Sequence, residues 1–144
     1  MGLKTYTYGE LSVGMRDSLL RTVMASTVNQ FAEVSGDVNP IHLSDDFAAR
    51  SRFGQRIAHG MFTASLISAV IGTRLPGPGA VYLSQTLRFL APVKIGDVVA
   101  AVVEVAEMVE KGRRVRLDCH CLVDGKPVLE GEAWVMVPAS PQPT

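Results

Sequence analysis

The residues of this chain that can do chemistry concentrate in two short stretches. The first is Ser35-Gly36-Asp37-Val38-Asn39-Pro40-Ile41-His42, in which Asp37 and His42 stand five residues apart. A carboxylate beside an imidazole makes a general acid/base pair that can hold and polarise a water molecule. On a helix, five residues turn through about 500°, which would set the two side chains about 140° apart. Pro40 argues against such a helix and biases Asn39 away from the α region, so Ile41-His42 is entered extended or turned. A turn can bring both side chains to one point. Spacing alone favours a plainer account, a turn aspartate bonded to local backbone N–H groups beside a packed histidine.

The second stretch is Ala58-His59-Gly60-Met61, at the start of the most apolar segment of the chain. A helix N-terminus offers unpaired N–H groups and a partial positive charge. Gly60 would let a ligand approach that backbone closely. This is how a polarised carbonyl or an oxyanion can be held. A glycine that only relieves crowding where a helix meets a sheet fits equally well.

Several elements must position these stretches. Residues 15–26 read as a strand, and Ser26 or Thr27 can cap a short helix over residues 28–34. The turn formers of residues 35–40 break it. Ser44 is a good N-cap for a second short helix over residues 45–51, with Asp45 and Asp46 in its favourable first turn. Residues 59–73 form a helix that is apolar nearly all round, interrupted only by small residues such as Thr63, Ser65 and Ser68. A helix without a charged face is one wrapped by other structure. Leu75-Pro76-Gly77-Pro78-Gly79 makes a stiff loop after it.

From Ala80 the period changes to two. Val81, Leu83, Leu87 and Phe89 share one face, with Gln85 as its polar exception. Val99 to Val105, Val115 to Val123 and Leu129 to Val137 form further apolar stripes. Turn signals separate them, the Asp124-Gly125 hairpin dipeptide most clearly. The second half is thus expected to be an antiparallel meander of four strands, and the chain an α+β fold with the sheet curled round the helix. Residues 138–144 read as a frayed tail.

Composition narrows the class. At 144 residues the chain is expected to form one domain. Lys plus Arg and Asp plus Glu are 14 each, so the formal charge is zero and the basic excess of a nucleic-acid protein is missing. The longest nearly apolar run, residues 61–72, is short of the roughly 20 residues of a membrane span. The first 20 residues lack the apolar run of a signal peptide. Cys119 and Cys121 would share a strand face with little chance of bonding each other, which points to a reducing cytoplasm. Those cysteines with His42, His59 and His120 do not make a metal site, because His120 points to the other face and no CxxC pair exists. Arg50, Arg52 and Arg56 cluster near the first stretch; phosphates would suit them, though a solvated helix end explains them too. Trp134 faces away from Leu129 and Val135, at a dimer contact or over the sheet.

Taken together, the two stretches resemble the MaoC-like hydratases, in particular the (R)-specific enoyl-CoA hydratases. The resemblance rests on Asp37-Val38-Asn39-Pro40-Ile41-His42 and on His59-Gly60-Met61 with the small-residue helix that follows. Leu75-Pro76-Gly77, Tyr82-Leu83, Phe89, Pro92-Val93 and Gly96-Asp97 agree with it, and it covers about residues 12–138. It implies a hot-dog fold, a long helix wrapped by a curved antiparallel sheet, usually as a homodimer. It implies reversible hydration of a trans-2-enoyl-CoA to the (R)-3-hydroxyacyl-CoA. Asp37 and His42 would activate the water, and the Gly60 N–H would hold the thioester carbonyl. Ser68 aligns with a serine near the catalytic pair, with Ser65 a neighbouring choice and His59 a further substrate contact. No metal or other cofactor is implied, and neither nucleic acid nor membrane is a partner. A dehydratase of acyl-carrier-protein thioesters is the first rival reading, and a non-catalytic acyl-thioester-binding subunit the second.

Overall fold

A computed structural model describes residues 2–141. Strand β1 (Arg16–Thr22) precedes helix α1 (Ala25–Ser35), the short helices α2 (Pro40–Leu43) and α3 (Asp45–Ala49), and the long helix α4 (Gly60–Thr73). Strands β2 (Val81–Gln85), β3 (Arg88–Phe89), β4 (Val98–Val109), β5 (Arg114–Val123) and β6 (Lys126–Met136) follow. All pairings are antiparallel, in the order β1-β4-β5-β6-β2, with β3 also on β6. The α+β hot-dog expectation holds: α4 packs across β4, β5 and β1.

The core is the interface between α4 and the inner sheet face. Ile67 and Val70 of α4 are fully buried, as are Val103 and Val105 of β4 and Leu117, Cys119 and Cys121 of β5. Burying one such side chain stabilises the fold by about 1.5–3 kcal/mol before ordering costs. Both cysteines are free thiols, and burial is the main cause that pushes them up, Cys119 to about 11 and Cys121 to about 12. They behave as small apolar side chains. The outer face is polar: Arg116 bridges Glu107, Asp118 and Glu132 at 2.9–3.3 Å. Trp134 lies on that face, with the Arg114 guanidinium 5.7 Å from its ring centre.

Three expectations need correction. Only β4, β5 and β6 form a meander; residues 81–89 pair with β6, on the far side from β4. Periodicity reports which way side chains face and carries no record of which strand is the neighbour. Residues 81–89 are also two strands, broken at Thr86-Leu87, and the apolar stripe is open, with Val81, Leu83 and Phe89 all about half exposed. β2 is an edge strand with its outer side unpaired. Finally, α1 begins at Ala25, ahead of the expected start, with Met24 as a cap residue that makes no side-chain bond. Backbone bonds from Val23 N–H to Asp97 and from Gly96 N–H to Val23 fix the chain just before it. Tertiary anchoring has replaced a side-chain cap.

The second short helix is close to expectation, with Ser44 Oγ accepting from Phe47 N–H. Of the expected tail, Pro138 is held by Tyr8 N–H, while residues 142–144 lie outside the described residues. No helix among the described residues is long and apolar enough to cross a membrane.

Candidate active site

The first stretch folds by bonding to itself. Gly36 ends α1 in the left-handed region at φ 80°, which only glycine adopts without strain, and its N–H caps the Ala32 carbonyl. Asp37 N–H then donates to Ser35 Oγ, Asn39 N–H to Asp37 Oδ1, and Ile41 N–H to Asn39 Oδ1, at 3.1–3.2 Å. Asn39 thereby caps α2, with Pro40 in its first turn. His42 therefore sits on one helical turn and not on extended backbone. Proline needs no N–H partner at a helix start, so it opens a helix here as well as closing one.

The His42 ring is 8% exposed. Its Nδ1 lies 2.7 Å from the Ile57 carbonyl. A carbonyl oxygen only accepts, so Nδ1 carries the proton and the neutral ring has a bare Nε2. Burial is the main influence on its pKa and holds it below the usual 6.5, against the hydrogen bond to Ile57. The ring is thereby kept in the form that can take a proton. The segment around Ile57 is itself clamped: Ile57 N–H donates to Ile41 and Ala58 N–H to Val93.

Asp37, His42 and His59 offer carboxylate and ring atoms within 4.8 Å of one another. Metals use such spacings. Here one nitrogen of each imidazole already faces a carbonyl oxygen, and the two rings stack at 3.9 Å and 28°.

Gly60 opens α4 immediately after His59. Phe62 and Thr63 N–H both turn back to the His59 carbonyl, and Gly60 and Met61 N–H have no backbone acceptor among the described residues. A Cβ on Gly60 would meet the Phe89 ring at 2.7 Å, so a side chain here would push that half-exposed ring aside. Asp37, His59, Gly60, Thr63 and Phe89 line one cavity of about 520 Å³, completed by apolar side chains such as Val93 and Leu129.

The other expected residues divide. Ser65 and Ser68 are exposed on α4 and line no part of this cavity; the Ser65 hydroxyl donates to the Phe62 carbonyl. Arg56 is committed to the fold, with Nε on the His42 carbonyl at 2.6 Å and a terminal nitrogen on Asn29 Oδ1 at 2.7 Å. It is not a spare cation for a phosphate. Arg52 lines the cavity and stands over Phe53. Two residues named in the sequence only as parts of their elements belong to the site. Thr63 is 2% exposed and its hydroxyl has no hydrogen-bond partner among the described residues, and Phe89 covers Gly60. A lone threonine in an apolar helix was the only available signal for the first.

A family model described as MaoC like domain matches residues 12–120. The chain is 58% identical over 136 residues to a 3-hydroxybutyryl-CoA dehydratase of Methylorubrum extorquens, covering 94% of this chain and 87% of the relative. It is 49% identical over 132 residues to an (R)-specific enoyl-CoA hydratase of Rhodospirillum rubrum, covering 92% of each. Among solved structures, an unliganded R-hydratase of Pseudomonas aeruginosa superposes with a TM-score of 0.92 at 45% identity, covering 96% of this chain and 89% of that one. A match over most of the chain, on a sheet and helix of the same build, admits one conclusion: the chain belongs to the MaoC-like family.

Proposed function

We propose that this chain is an (R)-specific enoyl-CoA hydratase, adding water across a trans-2-enoyl-CoA to give the (R)-3-hydroxyacyl-CoA, and the reverse. One observation carries the reading. Asp37 and the first residues of helix α4 line one largely apolar cavity, and the His42 ring stands just behind its wall, stacked on His59 and with a ring nitrogen within 4.8 Å of the Asp37 carboxylate. Conjugation to the thioester makes C3 electrophilic, and charge grows on the carbonyl oxygen as water adds. The Gly60 N–H receives that charge. Asp37 and His42 Nε2 accept from the two hydrogens of one water. Its oxygen bonds to C3, and the proton taken up by the pair returns to C2, so atoms balance with no change in oxidation state. The reaction asks for no metal or redox cofactor.

The (R) stereochemistry and the coenzyme A carrier rest on the names of the relatives in Rhodospirillum rubrum and Methylorubrum extorquens. A homodimer is part of the same reading. Met61, Ser65 and Ser68 leave one stripe of α4 uncovered, and Val81, Tyr82 and Leu83 leave the β2 edge uncovered. A second copy laid there would cover apolar surface and bring Ser65 and Ser68 under another chain. Free buried thiols suit the cytoplasm.

The test is hydration of crotonyl-CoA, followed by loss of the enoyl-thioester absorbance, with chiral analysis of the product. Asp37→Asn keeps the side-chain shape and removes the charge. Formation of the (R)-3-hydroxy product, reduced about 10²–10⁴-fold in the variant, is expected. No turnover of crotonyl-CoA or a longer enoyl-CoA by folded protein would overturn the reading.

A further inference from the structure

His59 touches every part of the proposed machinery. It is 2% exposed. Its Nε2 lies 2.9 Å from the backbone carbonyl of Asp37, 22 residues earlier in the chain. Its ring stacks on His42 at 3.9 Å and packs against Phe31 of α1 at 4.9 Å. It is also the residue on which α4 starts, one peptide bond from Gly60. The Asp37 end of the turn is otherwise held by bonds within residues 35–41, which fix its shape, while Arg56 and Ile57 anchor its far end at Ile41 and His42. His59 supplies the polar link that reaches Asp37 itself from the start of α4.

We propose that His59 is a positioning residue: its Nε2–H to the Asp37 carbonyl and its ring face against His42 hold the acid/base pair in register with the Gly60 N–H. This rests on the hydratase reading above. An accepting carbonyl requires that Nε2 carry the proton. With the ring neutral Nδ1 is bare, and that atom is buried with no hydrogen-bond partner among the described residues. A histidine kept only for bulk would have no reason to fix one tautomer. A displacement of about 1 Å between reacting groups can lower turnover by about 10²-fold, so the link acts on the chemical step more than on binding.

Two variants separate donor from bulk. His59→Phe keeps a ring on His42 and loses the donor; His59→Gln keeps a donor near the Nε2 position and loses the ring. We expect His59→Phe to lower kcat for crotonyl-CoA about 10- to 100-fold with KM nearly unchanged. His59→Gln should recover a good part of that loss. In the wild type, ¹⁵N-histidine correlation spectra should place the proton of His59 on Nε2, a measurement that needs neither activity nor a variant that folds. An Nδ1-protonated His59 overturns the proposal. So does a folded His59→Phe with wild-type kcat, or a folded His59→Gln no better than it. Wild-type protein without hydratase activity overturns the functional reading itself, and the positioning role with it. An active wild type with indifferent His59 variants overturns the positioning role alone.

Discussion

The turn that carries Asp37 and the strand that carries Cys119 and Cys121 are opposite solutions to holding a backbone still. Residues 35–40 are all exposed, and their order comes from three local side-chain hydrogen bonds, one capping glycine and the bond from His59 to the Asp37 carbonyl. Strand β5 is paired along both edges, and its inward residues Val115, Leu117, Cys119 and Cys121 are fully buried. Each bond of the turn contributes about 0.5–1.5 kcal/mol, whereas the burial of one β5 side chain contributes about 1.5–3 kcal/mol. The proposed chemistry is thus placed where little stability is at stake, and stability away from it. A carboxylate can be lost from the turn without loosening the sheet. A methyl group cannot be lost from the sheet so cheaply.

That contrast can be broken by variants. The largest effect is expected from Asp37→Asn: about 10²–10⁴-fold less hydration with a denaturant midpoint close to wild type, read from paired kinetics and urea melts. A large drop in midpoint would show the turn to be structural after all. Leu117→Ala should do the reverse, removing about 2–5 kcal/mol of stability with activity per folded molecule retained. A folded Leu117→Ala protein that is catalytically dead would tie the two regions together.

Acid is a gentler probe. The pKa of His42 is held below 6.5 in the folded chain, so the folded state resists a proton that the unfolded state accepts. Its contribution to stability is complete above pH 6.5 and is lost as the pH falls from there through the folded value. The acid limb of kcat/KM should likewise have its midpoint below 6.5, as an apparent value belonging to the Asp37–His42 pair. A midpoint above 6.5 would mean a stabilised imidazolium and a different division of labour. The smallest expected effect is that of Ser44→Ala, which removes the cap of α3 and should cost about 1 kcal/mol in a thermal melt. Unchanged activity there would confine the contrast to residues 35–42.

Much of this division was legible in the sequence. The turn formers around Gly36 and Asn39, the uncharged helix after Gly60 and the alternation through Cys119 and Cys121 are local signals, and local signals survive in a one-dimensional string. Pairing does not. Nothing in residues 81–89 announces β6 as their partner, because alternation reports a face and not a neighbour. His59 shows the same blindness at the site. Its contact with the Asp37 carbonyl spans 22 residues, and an isolated histidine before a glycine carries no mark of it. Phe89 over Gly60 is a further case, since a bulky ring and a missing Cβ are complementary only once the fold has brought them together.

The two cysteines give the molecule a built-in clock. They are the only thiols in the chain, both on the strand that is paired on each side. Burial keeps them protonated and out of reach, so a thiol-specific reagent must wait for the sheet to open. Its labelling rate in the native protein therefore counts openings of the deepest part of the fold, one molecule at a time. Any variant around Asp37 or His59 can be followed by this signal without an added probe. A slow clock beside a lost reaction separates damage to the machinery from damage to the frame.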